Sequence, residues 1–271
     1  TLLAAVEVLE AAGMRVVLPD VSLCCGRPLY DFGMLALAQR LLRQILDTLR
    51  PDIQAGVPVV GLEPSCVAVF RDELLQLFPQ DADAQRLSAQ TFLLSEYLTR
   101  VGYTPPKLQG AARAVVHGHC HHKAVLGMGA EERLLRALGL DYTLLDSGCC
   151  GMAGAFGFER DHYDVSIACG ERVLLPAVRA ADAETLIVSD GFSCREQIAQ
   201  TTDRRALHLA EVLRAAHRQA AGLPPIADDH EAADKQARPW RKVAAATMLA
   251  GVGLVSALAG LVWWRHGRRR D

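Results

Sequence analysis

The stretch LRALGLDYTLLDSGCCGMAG, residues 135–154, determines the fold, because a helical pattern ends there at a glycine and a short apolar strand leads into Cys-Cys-Gly. The same order recurs in residues 9–28, LEAAGMRVVLPDVSLCCGRP. After each Cys-Cys-Gly, a long helical pattern and a second apolar strand lead to a single cysteine, which is Cys66 in the first copy and Cys194 in the second. Agreement over this many elements predicts a duplicated unit, with the first repeat at residues 1–108 and the second at residues 109–220.

Short strands and helices alternate through both copies, which predicts an α/β fold built from a duplicated parallel α/β unit. The predicted strands are residues 15–18, 57–62, 114–117, 142–145 and 186–189. The predicted helices are residues 2–12, 31–54, 67–77, 84–100, 131–138, 162–181 and 207–220. The Cys-Cys-Gly loops then follow strands, so we expect them at the carboxyl edge of the sheet, where open α/β folds place their ligands.

The composition is that of a globular protein. Of the 271 residues, 51% are hydrophobic and 22% are charged, which argues against disorder. The formal net charge is −2, so the charge balance does not indicate nucleic acid as a partner. The chain opens at Thr1 inside an amphipathic helical pattern, and we expect it to be part of a longer protein.

The last part of the chain has a different pattern. Residues 221–242 contain Pro224, Pro225 and several charges, which predicts a linker. Residues 243–264 carry no charged side chain and are long enough to cross roughly 30 Å of hydrocarbon, so we predict a transmembrane helix there rather than a buried core helix. Basic residues flank both ends of this segment, so the positive-inside rule does not decide its orientation.

The chain has eight cysteines, and all but Cys169 fall in the repeated motifs. The second copy offers a four-thiolate set: Cys120, Cys149, Cys150 and Cys194. The first copy offers an incomplete set: Cys24, Cys25 and Cys66. Cys120 lies 29 residues before Cys149. The position 29 residues before Cys24, which would match Cys120 in the first copy, lies ahead of Thr1. We therefore expect the first copy to lack its first ligand in this sequence.

Thiolates that converge from several loops are the usual ligands of iron–sulfur clusters, so the motifs predict such a cluster. Gly26 and Gly151 would let the backbone turn closely beside it. A disulfide within Cys24-Cys25 or Cys149-Cys150 would require strained geometry. Cys169 fits no motif, and we predict that it is an ordinary buried residue.

Three other interpretations of the cysteines stay open. Zinc also takes four thiolates, although the ligands here are not spaced as close CxxC pairs. Imidazoles could contribute to either kind of site, and the candidates are His117, His119, His121 and His122. The Cys-Cys pairs could also perform thiol–disulfide chemistry, and simple burial is the remaining interpretation.

Charged residues flank the cysteines and could steer an anionic substrate or tune the potential of a cluster. They are Arg27, Lys123, Glu159, Asp190 and Arg195. For each taken alone, helix capping or ordinary surface charge is the preferred interpretation.

The motifs together resemble the cysteine-rich "CCG" domain family. The resemblance covers residues 1–217 and rests on Cys24-Cys25-Gly26, Glu63-Pro64-Ser65-Cys66, His119-Cys120-His121, Ser147 to Gly154 and Asp190 to Cys194. The family includes cysteine-rich subunits of heterodisulfide reductase, glycolate oxidase and anaerobic glycerol-3-phosphate dehydrogenase. The motifs look most similar to the C-terminal part of fused FAD-binding and Fe–S dehydrogenases for D-lactate or D-2-hydroxyglutarate.

The resemblance implies electron transfer in the oxidation of a small 2-hydroxy acid such as D-lactate, glycolate or D-2-hydroxyglutarate. It implies a [4Fe-4S] cluster in this chain and FAD on an upstream domain or partner, since the chain itself shows no flavin fingerprint. With the predicted membrane helix, it also implies a cytoplasmic domain anchored to the inner membrane and a quinone or other membrane acceptor. In some members of the family, the loop that carries the last cysteine of each copy has two cysteines, as CxxC. Here the first of these two positions is Glu63 before Cys66 and Gly191 before Cys194.

Overall fold

Short parallel strands alternate with helices in the computed structural model, which describes residues 1–110 and 112–223. The strands are β1 Val59–Gly61, β2 Thr91–Leu93, β3 Arg113–Val116, β4 Asp141–Leu144, β5 Leu186–Val188 and β6 Ala206–Leu207. The helices are α1 Leu2–Ala11, α2 Arg27–Asp31, α3 Leu35–Gln54, α4 Pro64–Arg71, α5 Glu73–Leu77, α6 Ala82–Gln90, α7 Leu94–Arg100, α8 Gly129–Ala137, α9 Tyr163–Glu171, α10 Leu174–Ala180, α11 Phe192–Thr201 and α12 Leu209–Ala220. A π-helical turn spans His122–Leu126, and two 3-10 turns span Phe156–Phe158 and Arg160–His162.

All strand pairs are parallel. The second copy forms a four-stranded sheet in the order β4-β3-β5-β6, in which Val116 lies opposite both Leu144 and Val188. In the first copy, β1 pairs with β2, and Val59 lies opposite Thr91. Because parallel strands end on the same side, the loops that follow β3, β4 and β5 meet at one edge of the sheet.

The two copies share a core, and Thr1–Leu223 forms one compact unit. Helix α1 of the first copy packs on α12 of the second, and α7 packs on α8. Leu9 and Leu98 from the first copy are buried in the same apolar cluster as Leu135 and Leu213 from the second. Burying one such side chain contributes about 1.5–3 kcal/mol, so the pairing of the copies is a main source of stability. The boundaries of the two repeats stay a prediction.

Four of the five predicted strands are confirmed as β1, β3, β4 and β5, but the strand predicted at residues 15–18 is wrong. In the second copy, β3 lies between β4 and β5. In the first copy, the place beside β1 that corresponds to β3 is an apolar groove of about 220 Å³. It is lined by α1, β1 and residues 15–18. Since no strand of the described residues fills this groove, residues 15–18 have no ladder partner there, and Val17 and Leu18 are 68% and 55% exposed.

The helices predicted at residues 2–12, 131–138 and 207–220 are confirmed as α1, α8 and α12, whereas those predicted at residues 31–54, 67–77, 84–100 and 162–181 are divided into shorter elements. The helix predicted at residues 84–100 is wrong in its middle, where β2 separates α6 from α7. The Glu96 carboxylate accepts a hydrogen bond from the Leu93 N–H at 2.8 Å and caps α7, which restarts the helix after the strand. Helix α11 and strand β6 were not predicted.

The predicted fold class needs correction on its membrane helix. No helix in the described part of the chain is both long and apolar enough to cross a membrane. Helix α3 has 20 residues, but its charged residues Arg40, Arg43, Asp47, Arg50 and Asp52 would be costly to place in hydrocarbon. The predicted linker from residue 224 onward and the predicted span at residues 243–264 lie outside the described residues.

Candidate metal centre

The four cysteines of the second copy come together at the carboxyl edge of the four-stranded sheet. Cys120 follows β3, Cys149 and Cys150 follow β4, and Cys194 lies in the first turn of α11 after β5. Their thiols form a continuous chain of contacts that runs from Cys120 through Cys149 and Cys150 to Cys194. Three loops that are distant in sequence therefore deliver four sulfur atoms to one place.

The environment of these thiols favours negative charge on two of them. Contacts from the thiols of Cys120 and Cys150 lower the pKa of Cys149, and the backbone N–H groups of Gly151 and Ala153 lower it further. The pKa of Cys194 is lowered by the thiol of Cys150 and then by the ring of His117. The pKa values of Cys120 and Cys150 are raised, chiefly by their contact with Cys149. Thiolates are the form that binds metals, so this pattern suits a metal site.

Two glycines let the backbone approach closely at this edge. At Gly151, φ is +102°, and an added Cβ would lie 2.0 Å from the carbonyl oxygen of Ser166. At Gly191, an added Cβ would lie 2.3 Å from the ring of His119 and 3.1 Å from the Cys194 sulfur. Ala153 also has a positive φ of 38°, so the loop after Cys150 is bent beyond what most residues adopt.

The cysteines of the first copy form a smaller group. The Sγ atoms of Cys25 and Cys66 are 3.0 Å apart, and Cys24 is exposed. The hydrogen bond from Cys66 lowers the pKa of Cys25 to about 7, whereas contact with Cys25 raises the pKa of Cys66. Cys169 lies on α9, partly buried and away from both groups in sequence.

The four candidate histidines divide into two groups. The Nδ1 atoms of His119 and His121 lie 3.9 and 3.8 Å from the Cys120 sulfur, and the two rings stack with centroids 5.4 Å apart. The ring of His117 is buried, shares a 2.7 Å hydrogen bond with Ser147 Oγ, and contacts Cys194. His122 points elsewhere and is buried with Glu131.

The flanking charged residues mostly support the loops. Arg27 is buried in an ion pair with Glu73, and Lys123 donates to the Ser147 carbonyl. The Arg195 guanidinium donates to the carbonyl oxygens of Ser189 and Asp190, at 3.0 and 2.6 Å. Within the part of the chain that the structure describes, Glu159 pairs only with His162, and both side chains are exposed. Surface charge is therefore the better description for Glu159, whereas Arg27, Lys123 and Arg195 stabilise the backbone next to the cysteines.

Sequence reasoning missed two residues that organise the site. The Gln197 side-chain amide is buried and donates to the carbonyls of Cys150 and Ser166, at 3.1 and 3.2 Å. Glu63 accepts a 2.7 Å hydrogen bond from the Phe192 N–H, which joins the closing loops of the two copies. Its position before Pro64-Ser65 is typical of a helix N-cap, but its contact with the other copy has no signal in the sequence.

A cavity of about 370 Å³ opens beside the second cysteine group, with residues of both copies in its lining. Its lining includes Arg27 and Ser65 from the first copy and Cys120, Cys149 and Cys150 from the second. The second group therefore has a face that a small molecule or a partner side chain can reach.

These residues fit an iron–sulfur cluster. Four thiols converge, two of them have lowered pKa values, and the Gly151 N–H points at the Cys149 sulfur at 3.4 Å. Backbone N–H groups directed at sulfur and nearby helix N-termini both stabilise the charge of a cluster.

Residues 1–71 and 116–199 match the family described as the cysteine-rich domain, CCG. The chain belongs to this family. It is 31% identical over 208 residues to a subunit of anaerobic glycerol-3-phosphate dehydrogenase from Escherichia coli, with 75% of this chain and 52% of the relative covered. It is 32% identical over 229 residues to lactate utilization protein A of Bacillus velezensis, with 78% and 90% covered.

A third relative is D-2-hydroxyglutarate dehydrogenase of Pseudomonas putida, which is 29% identical over 211 residues, with 77% of this chain and 20% of the relative covered. The CCG-family chain thus spans about half of the glycerol-3-phosphate dehydrogenase subunit and a fifth of the hydroxyglutarate dehydrogenase. The resemblance inferred from the motifs is confirmed at the level of the family.

Proposed function

We propose that this chain is the electron-transfer component of an oxidoreductase and that it holds an iron–sulfur cluster, of the [4Fe-4S] type, on Cys120, Cys149, Cys150 and Cys194. The observation that carries the proposal is the continuous contact of these four thiols, which three separate loops deliver to one edge of the sheet. Such a cluster, when bound, would accept and release single electrons. Cys24, Cys25 and Cys66 would form a second, incomplete half-site.

The residues of the chain would prepare this site rather than perform bond-making chemistry. Gly151 N–H and the His117 ring stabilise negative charge on Cys149 and Cys194. Gln197 fixes the Cys150 carbonyl and thereby the backbone of the Cys-Cys-Gly loop. Since Cys150 and Cys194 are 2% and 1% exposed, that side of the site excludes water.

The names of the relatives support a proposal on the substrate class. Their names refer to lactate, glycerol-3-phosphate and D-2-hydroxyglutarate, each of which carries an alcohol group next to a short polar or acidic chain. We propose that a FAD-binding dehydrogenase domain or subunit takes the hydride from a small 2-hydroxy acid of this kind. The CCG-family chain then passes the electrons to a quinone or another acceptor, in the cytoplasm where clusters are assembled.

The test is the iron and acid-labile sulfide content of protein purified anaerobically, with its absorption spectrum. We expect about four irons per chain and a broad band near roughly 400 nm, as four-thiolate ligation implies. Cys150→Ser should lose most of this iron, because it removes one of the two central thiols of the chain of contacts. Cys169→Ser is the matched control, since Cys169 lies on α9 outside both groups, and it should retain the iron.

Other metal contents would support other functions. Zinc without iron, lost in Cys150→Ser, would favour a zinc-stabilised interaction module. Equal iron in Cys150→Ser and Cys169→Ser would refute the proposed ligand set.

Thiol–disulfide exchange is a second candidate function, supported by the 3.0 Å separation of the Cys25 and Cys66 sulfurs. In that reaction the Cys25 thiolate attacks a substrate disulfide and releases one substrate thiol. Cys66 then attacks the mixed disulfide, releases the second thiol and leaves a Cys25–Cys66 disulfide, which a dithiol reductant would reopen. Peptide mapping after incubation with a disulfide substrate would detect that bond, and its absence would exclude this candidate.

A further inference from the structure

A second group of metal-binding side chains lies in the core, and it contains no cysteine. His122 begins the π-helical turn after Cys120, Glu131 lies in the first turn of α8, and Asp190 follows β5. The three residues are 0%, 1% and 4% exposed. One ligand atom from each lies within 4.8 Å of the other two, and His122 Nδ1 is 3.3 Å from Glu131 Oε2. Three segments of the second copy therefore direct ligand atoms to one buried point.

Two of these side chains, His122 and Glu131, have buried polar atoms without a hydrogen-bond partner within residues 1–110 and 112–223. Both ring nitrogens of His122 and the Oε2 atom of Glu131 are buried without a partner. Asp190 is better satisfied, since its Oδ1 accepts a 2.8 Å hydrogen bond from the Leu209 N–H. Buried polar atoms are nearly always paired with protein, water or an ion, so unpaired atoms that face one another indicate a ligand.

The charge of the group also needs a cation. His208 lies 3.5 Å from Asp190, but its two ring nitrogens are engaged with the Leu62 carbonyl and the Ala210 N–H. None of the ion pairs among the described residues joins a lysine or arginine to Glu131 or Asp190. Two buried carboxylates without a cation are unfavourable, and a divalent ion would balance their charge.

We propose that His122, Glu131 and Asp190 bind a divalent d-block cation, for which zinc is the best match. Zinc accepts imidazole nitrogen and carboxylate oxygen at about 2.0–2.2 Å, and it tolerates a fourth position filled by water. The ion would connect the turn that follows Cys120, the start of α8 and the loop that leads to Cys194. It would thus hold two of the cysteine loops in place without being part of the cysteine site.

The experiment uses the whole chain, purified anaerobically with the iron that it retains, incubated with zinc chloride and dialysed. We expect one zinc per chain in addition to the cluster iron. X-ray absorption at the zinc edge should show nitrogen and oxygen neighbours at about 2.0–2.2 Å and no sulfur shell at about 2.3 Å. Sulfur neighbours would mean that zinc occupies the cysteines, and that result, or no retained zinc, would overturn the proposal.

Glu131→Gln removes the charge of one ligand and keeps its shape. It should lower zinc affinity at least about tenfold, the loss that removal of even an outer partner can cause. Glu132→Gln is the matched control, because Glu132 is the next residue on α8 but pairs with Arg136 and Tyr142, and it should retain the zinc. Equal zinc affinity in both variants would refute the assignment. If Glu131→Gln fails to assemble its iron, the zinc-edge spectrum of the unaltered protein decides alone, independently of the proposed electron-transfer function.

Discussion

The replacement of Gly151 by alanine tests whether close backbone packing builds the second cysteine group. The new Cβ would lie 2.0 Å from the Ser166 carbonyl oxygen, whereas real Cβ atoms keep at least 3.0 Å from other heavy atoms. Helix α9 or the Cys-Cys-Gly loop must therefore retreat by about 1 Å, a distance that packed interiors do not yield without loss of contacts. The Ser166 carbonyl also accepts a hydrogen bond from Gln197, which holds the Cys150 carbonyl as well.

Two costs add for Gly151→Ala. The positive φ of +102° costs a residue with a Cβ about 1–2 kcal/mol. Disturbing the buried Gln197 hydrogen bonds costs about 1–3 kcal/mol more. We therefore expect a loss of about 3 kcal/mol in the free energy of unfolding, which lowers Tm by about 6–12 °C for a unit of this size. Because the loop carries Cys149 and Cys150, the iron content should fall as well.

The assay is thermal unfolding followed by circular dichroism, together with iron analysis of the same anaerobic preparation. Gly148→Ala is the matched control, since Gly148 lies in the same loop but an added Cβ there would meet no atom within 4 Å. This control should change Tm by no more than about 2 °C, as surface substitutions usually do. The reasoning is refuted if Gly151→Ala keeps both the Tm and the iron content of the control.

Two further predictions test other contacts. Glu63→Gln weakens the 2.7 Å hydrogen bond from the Phe192 N–H and should lower stability by about 1 kcal/mol in urea unfolding, whereas Glu10→Gln on the exposed face of α1 should change it by less than about 0.5 kcal/mol; equal values would show that Glu63 does not hold the two loops together. Burial lowers the pKa of His217 beside Tyr103, so its neutral form contributes stability that is complete above about pH 6.5 and is lost as the pH falls towards its folded-state pKa. His217→Gln should therefore lose less Tm between pH 7.5 and 5.5 than the unaltered chain, and parallel pH profiles would contradict this assignment.

Two constraints in the sequence underlie the predicted arrangement of the cysteines. The repeat places Cys150 and Cys194 after apolar strands, Cys120 follows a further apolar strand, and parallel strands end on the same side of a sheet. Neither step depends on details of packing. The thiol contacts found in the structure are those expected if these two constraints hold.

The elements that escaped prediction are those decided by tertiary contacts. Strand β2 has three residues inside a helical pattern, and such a short run has little intrinsic preference of its own. It becomes a strand because Thr91, Phe92 and Leu93 can pair with β1. In contrast, residues 15–18 have good strand composition but no neighbouring strand among the described residues, so their backbone stays irregular.

The contact between Glu63 and Phe192 shows how matching positions of the two copies carry different residues although the copies share a pattern. Glu63 and Gly191 stand at matching positions, each three residues before a cysteine. A side chain at Gly191 would collide with His119, whereas the carboxylate at Glu63 reaches across and accepts the N–H of the residue after Gly191. The first copy therefore provides the Glu63 carboxylate, and the second copy has a glycine at the matching position, where a side chain would not fit. The loop that carries Cys194 thus depends on the packing of the two copies against each other. It follows that a fragment holding the second repeat alone would keep all four cysteines but would lose the contact that fixes one of them.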